Sequence, residues 1–132
     1  MKTDIIQFET ALLARDKGFF TGSNYYYDIN TEELIDNEKA FYFNGLDIEL
    51  IEACEKYELQ KWLRDKQRID ITVICDWQKG VRFYKVGLSY VNSNNEIDIW
   101  FSRDEQRIPI NHATYEIALE EGLKNGLTLI EI

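Results

Sequence analysis

The stretch IDITVICDWQKGVRFYKVGLSYV, residues 69–91, decides the fold. Ile69, Ile71, Val73, Cys75 and Trp77 share one side of an extended chain, while Asp70, Thr72, Ile74 and Asp76 share the other. Gln78-Lys79-Gly80 interrupts this alternation with turn chemistry. Val81 to Val91 then resumes it with Tyr84, Val86, Leu88 and Tyr90 as the apolar side. So short a connection between two alternating runs predicts an antiparallel hairpin.

Downstream, Asn-Ser-Asn-Asn at 92–95 turns into a third run, Glu96 to Ser102, whose Ile97, Ile99 and Phe101 are expected to alternate inward. A polar connection over 103–111 carries Pro109, the only proline, and Thr114 is placed to cap a helix with Glu116 near its positive end. Tyr115, Ala118, Leu119, Gly122 and Leu123 give that helix its apolar side. Upstream, the period lengthens to that of a helix over 55–67: Leu59, Trp62, Leu63 and Lys66 recur at helical spacing, with Lys61, Arg64 and Asp65 toward water and an end near Arg68. Both helices are expected on one face of a three-stranded meander.

The first 54 residues are harder to place. Ile5, Phe8, Ala11 and Leu12 predict a helix over 5–17 with Thr3 or Asp4 as cap and Gly18 as stop, after which Phe19 and Phe20 lead back toward the core. An aromatic-rich loop over 21–38 follows, with a short helix at Thr31 to Ile35, and Ala40 to Asn44 has the β-propensity of a short strand. The whole is an α+β chain forming one domain over 1–132, with an N-terminal helix and extension (1–54) and an α-β-β-β-α core (55–129).

With 132 residues there is room for one core, and 45% hydrophobic content makes the charge of −9 a property of a folded surface. No apolar run reaches a membrane span, and residues 1–14 lack a signal peptide's basic start, so a cytoplasmic chain without a membrane partner is expected. Cys54 and Cys75 make neither a disulfide framework nor a metal-binding pair. Charge is uneven: residues 61–90 hold 7 bases against 3 acids, while 1–60 hold 5 against 13. Lys61, Arg64, Lys66, Arg68, Lys79, Arg82 and Lys85 could make a patch, but the acidic surround opposes a polyanion, so nucleic acid is not the expected partner.

Chemistry-bearing groups are sparse. His112, the only histidine, stands in a polar loop with no nucleophile in its local sequence. Asp28, Asn30 and Glu32 start like a calcium loop, yet Glu33 occupies the glycine position and Lys39 the closing glutamate position. Carboxylate neighbours such as Glu120 with Glu121, or Asp104 with Glu105, read as solvated surface. No phosphate loop, HExxH motif or nucleophile elbow is present. These readings assign no catalytic residue, metal or cofactor and place the chain outside the enzymes.

The sheet's second face is the stronger lead. Ile74, Phe83 and Trp100 are expected to project away from the helices, where they would form an apolar interface for a protein partner or a second copy. The competing expectation is that Phe19, Phe20, Tyr25 to Tyr27 or Phe41 to Phe43 cover it.

Leu-Ala-Arg-Asp-Lys-Gly-Phe at 13–19, Tyr-Tyr-Tyr-Asp at 25–28, Leu-Gln-Lys-Trp-Leu-Arg-Asp-Lys at 59–66 and Ala-Thr-Tyr-Glu-Ile-Ala-Leu-Glu-Glu-Gly-Leu at 113–123 together resemble a family of small uncharacterised proteins. Phages, prophages and related mobile elements, common in Bacteroidetes-type genomes, encode that family. The resemblance implies a genomic setting and not a mechanism. The α-β-β-β-α order is also similar to the double-stranded RNA-binding domain. That domain sets lysines at the start of its last helix, whereas this chain has Glu116, Glu120 and Glu121, which argues against RNA. The expected function is that of a noncatalytic accessory protein acting through protein contacts. The alternative is an acidic mimic of nucleic acid that inhibits a host DNA-binding protein.

Overall fold

The computed structural model describes residues 4–42, 46, 48–108 and 110–130. These form four helices and two three-stranded antiparallel sheets, a mixed α+β architecture. In chain order they are α1 (Phe8–Asp16), β1 (Tyr25–Asp28), β2 (Leu34–Asp36), α2 (Asn37–Tyr42), β3 (Leu50–Glu52), α3 (Lys56–Gln67), β4 (Ile69–Gln78), β5 (Val81–Val91), β6 (Ile97–Phe101) and α4 (Tyr115–Thr128).

The β4–β5 hairpin pairs Ile71 with Leu88, Val73 with Val86 and Gln78 with Val81, which leaves Lys79 and Gly80 as a two-residue loop. Both have positive φ, 52° and 78°, as a type I′ turn requires, and that turn matches the right-handed twist of the strands. The expected apolar side faces α3 and α4 over Ile69 to Val73 and Tyr84 to Tyr90, whereas Cys75 and Trp77 near the turn are exposed. Leu59, Leu63, Ile69, Ile71, Val86, Leu88, Leu119, Leu123 and Leu127 are all buried there. Thr114 caps α4 as expected, its hydroxyl accepting from the Ile117 N–H at 3.1 Å. Tyr115, expected in the core, is exposed and meets Tyr84 edge to face at 6.1 Å.

The third strand reverses its expected parity. Residues 93–95 form the loop: the Asn92 N–H donates to the Glu96 carbonyl at 2.8 Å, and the Asn95 N–H donates back to Asn92 at 3.0 Å. Asn95 takes the left-handed conformation, φ 62°. A three-residue loop of this kind fixes the register. Trp100 then stands opposite Leu88 and Ile99 opposite Ser89. Trp100 therefore packs toward the helices, and Ile97, Ile99 and Phe101 take the opposite face. One residue of register inverts a whole strand.

The aromatic extension is itself a sheet of order β2-β1-β3, with Tyr26 opposite both Ile35 and Glu52. Leu34–Asp36 is a strand where a helix was expected at Thr31 to Ile35. Conversely, Ala40 to Tyr42 lies in α2 where a strand was expected, with Phe43 and Asn44 outside the described residues. The Asp36 carboxylate explains the exchange: it accepts from the Lys39 N–H at 2.9 Å and so caps α2, local chemistry that outweighs the β-propensity of Phe-Tyr-Phe.

Helix α1 begins at Phe8, later than expected, because Ile5 and Ile6 are used in extended pairing. The Ile6 N–H donates to Cys54 at 3.0 Å and the Lys56 N–H to Asp4 at 2.7 Å. Asp4 is thus no cap, and Thr3 lies outside the described residues. Gly18, φ 86°, stops the helix, and Phe19 turns in against Trp62 at 5.1 Å.

The start of α1 has no cap from its own sequence. Glu120 of α4 supplies it: its oxygens accept from the Gln7 N–H at 3.1 and 3.2 Å and from the Thr10 hydroxyl. Lys56 Nζ approaches the same carboxylate at 3.4 Å and donates to the Glu116 carbonyl at 3.1 Å. Glu120, expected on the solvated surface, is 3% exposed. Nearby, the Tyr27 hydroxyl donates to the Ile6 carbonyl at 2.6 Å and its ring meets Phe8 at 5.6 Å.

Burial, and then the Glu120 charge, push the Tyr27 phenol up to about 12. Burial, with Glu58 and Glu52 beside it, likewise pushes the Cys54 thiol up to about 12. Both folded-state values lie above those of the unfolded chain, about 8.5 for Cys and 10 for Tyr, so the unfolded chain loses these protons first. Their contribution is complete below about pH 8.5 and disappears as the pH rises toward 12. Denaturant midpoints should fall across that window. At mildly alkaline pH, exposed Cys75 should react with a thiol reagent, whereas buried Cys54 should react only after unfolding. Equal reaction of the two thiols in the folded protein would contradict this packing.

Candidate functional site

Side chains on the second face of β4–β5–β6 follow from the register. Asp70, Thr72, Ile74 and Asp76 come from β4; Val81, Phe83, Lys85, Gly87, Ser89 and Val91 from β5; Ile97, Ile99 and Phe101 from β6. Of the three residues expected there, Ile74 and Phe83 are present and Trp100 is not. Ile97, Ile99 and Phe101 stand in its place. The Asn92 to Asn95 turn was the signal that could have found them, because a left-handed Asn95 determines which side chains of the third strand face outward.

This face is open among the described residues. Ile97 is 75% exposed, Ile99 64% and Ile74 43%. Of the aromatics expected to cover it, Phe19 lies against Trp62 and Tyr27 against Phe8, while α1 packs on α4 and β3; Phe43 lies outside the described residues. Phe20 and Phe41 are exposed. Helix α1 and the β1–β3 sheet therefore thicken the helix side of the molecule.

Two details shape the open face. Phe101 lies across Gly87: a Cβ at that glycine would come within 2.8 Å of the ring, so the strand's centre is roofed by the phenylalanine. The only described ion pair on the face is Lys85 with Asp76 at 2.9 Å, whose hydrogen bond and charge hold the Asp76 carboxyl below the usual carboxylate range. At one end, Arg64, Arg68, Asp70, Ser89, Val91 and Ile97 line a groove of about 230 Å³, where arginines border the isoleucine row.

The seven bases of 61–90 do not gather on one surface. Lys85 is paired on the open face, Arg82 sits 4.8 Å over the Trp77 ring on the other side of the hairpin, and Arg64 pairs with Asp65 at 3.1 Å. His112 continues the sheet edge after β6, exchanging backbone hydrogen bonds with Tyr84 at 2.9 and 2.7 Å. Its Nε2 and the Ser102 hydroxyl are both buried, and neither bonds the other or any described group, so no serine–histidine relay is assembled.

No described helix is long and apolar enough to cross a membrane. No protein-family model, curated protein or solved structure matches the chain.

Proposed function

We propose that this chain is a noncatalytic protein-binding module, an accessory protein of a phage or other mobile element, and that the open face of β4–β6 is its contact surface. One observation carries the reading: Ile97, Ile99, Phe101, Ile74 and Phe83 occupy one sheet face that the described residues of the chain's own N-terminal half leave uncovered. Exposed apolar side chains grouped on one face in this way mark an interaction surface. Self-association is its simplest form.

The acidic-mimic alternative has less support. It needs unbroken rows of carboxylates, whereas Lys124 stands 3.4 Å from Glu9, Lys39 3.0 Å from Glu33 and Arg15 3.2 Å from Glu49.

Sedimentation at rising protein concentration tests the leading reading. The wild type should associate reversibly, and Ile97→Asp/Ile99→Asp, which puts charge on two exposed positions, should remain a folded monomer. A wild type that stays monomeric throughout, or a double variant that associates equally well, would remove the basis of the proposal.

A further inference from the structure

The residues that give the open face its apolar row also hold the free edge of the sheet. β6 pairs with β5 on one side only. The Ser102 N–H donates to Val86 at 3.1 Å and the Asn92 N–H to Glu96 at 2.8 Å, which fixes the alternation of the ladder. In an antiparallel pair every second residue turns its N–H and C=O to the neighbouring strand. Asp98 and Trp100 thus bond β5, while Ile97, Ile99 and Phe101 turn theirs outward. Among the described residues no other segment takes up those groups.

Exposed edges are usually guarded by lysine, proline, a bulge or an inward-pointing charge. The sequence Ile-Asp-Ile-Trp-Phe of β6 has none of the first three. Its single charge, Asp98, lies on the helix side and accepts from the Asn92 amide at 2.9 Å.

We propose that a second copy of this chain adds to the free edge of β6, antiparallel, about a two-fold axis at Ile99. The inference rests on reading this side of the sheet as an interaction surface and adds a contact at its edge, beside the open face. The strand is complementary to itself in this register. Ile99 meets Ile99, Ile97 meets Phe101, and each Asp98 lies opposite a Trp100 rather than another carboxylate. The exposed flanks have opposite charge, Glu96 before the strand and Arg103 after it, and antiparallel pairing brings each Glu96 beside the Arg103 end of the other copy. The product is a six-stranded sheet in which the two isoleucine–phenylalanine rows become one wider apolar band.

The decisive variant changes the backbone and leaves the face apolar. Ile99→Pro removes an outward N–H that β5 does not use, a substitution that edge strands accept. It should keep the far-ultraviolet spectrum and raise the dimer dissociation constant at least about tenfold, the effect of a lost hydrogen-bonded contact of about 1.4 kcal/mol. Ile99→Val, which keeps the N–H, should still dimerise. In the wild type the amides of Ile97, Ile99 and Phe101 should exchange slowly at high protein concentration and rapidly at low concentration. This second measurement decides the matter if the proline variant does not fold.

A folded Ile99→Pro that dimerises like the wild type, or amides indifferent to concentration, would overturn the edge contact. If Ile97→Asp/Ile99→Asp still abolished association in that case, the open-face reading would stand without it. Association that survives the aspartates would remove both.

Discussion

Replacing Glu120 with alanine should lower the unfolding free energy by about 3–5 kcal/mol, a large part of the 5–15 kcal/mol that holds a typical domain together. The size follows from what the carboxylate serves. Its removal leaves the Lys56 ammonium, whose side chain is 8% exposed, without its counter-charge. It also strips the Gln7 N–H and the Thr10 hydroxyl of their acceptor and uncaps α1. Glu120→Gln keeps an acceptor but not the charge, so it should remain substantially destabilised. Adding Lys56→Met should recover part of that loss, because the buried cation goes with its partner. Chemical denaturation of the wild type, Glu120→Gln, Lys56→Met and the two combined gives the cycle. Strict additivity, or a loss below about 1 kcal/mol for Glu120→Ala, would show that the buried pair is not coupled. Amide exchange should accelerate first in α1, the element that loses its cap.

Two glycines of α4 should respond in opposite ways to the same substitution. A Cβ at Gly122 would meet Val86 Cγ2 at 2.7 Å and Ile71 Cγ2 at 2.8 Å. Both belong to β-branched side chains that cannot swing aside, and both are held by the hairpin register. Gly122→Ala should therefore cost about 1–3 kcal/mol from overpacking, set against a gain of about 1 kcal/mol in helix propensity, and Gly122→Val should cost more. At Gly126 the closest atom is Leu63 Cδ1 at 3.2 Å, the end of a flexible side chain. Gly126→Ala should be neutral or slightly stabilising. Thermal or urea unfolding reads the contrast, and a Gly122→Ala protein as stable as Gly126→Ala would mean that α4 does not lie so close to the sheet.

The part of the fold that could be read in advance is the part governed by local period and turn chemistry. Residues 69–91 alternate so cleanly, with Lys79-Gly80 between them, that strand and turn were legible, and so was the buried side, except at Cys75 and Trp77, which are exposed. The third strand was not, because apolar residues occur on both of its parities. Ile97, Ile99 and Phe101 outnumber Trp100, and counting favoured the wrong side. The loop chemistry at Asn95 and the partner Leu88 decided it instead. Burial of Glu120 was hidden for another reason: its partners are Gln7, Thr10 and Lys56, all far away in sequence, so nothing within 113–123 distinguishes it from Glu121. The N-terminal sheet escaped because its strands are only three or four residues long, too short to show a period.

The capping carboxylate also bears on the order in which the molecule can be completed. Gln7 and Glu120 are separated by 113 positions. A chain growing from its amino end produces α1, the first sheet and Lys56 long before the group that joins them exists. Until α4 emerges, the lysine has no carboxylate to enter the interior with, and the first helix has no cap. Helix α4 is thus a clasp, and the early half of the molecule closes only when α4 arrives.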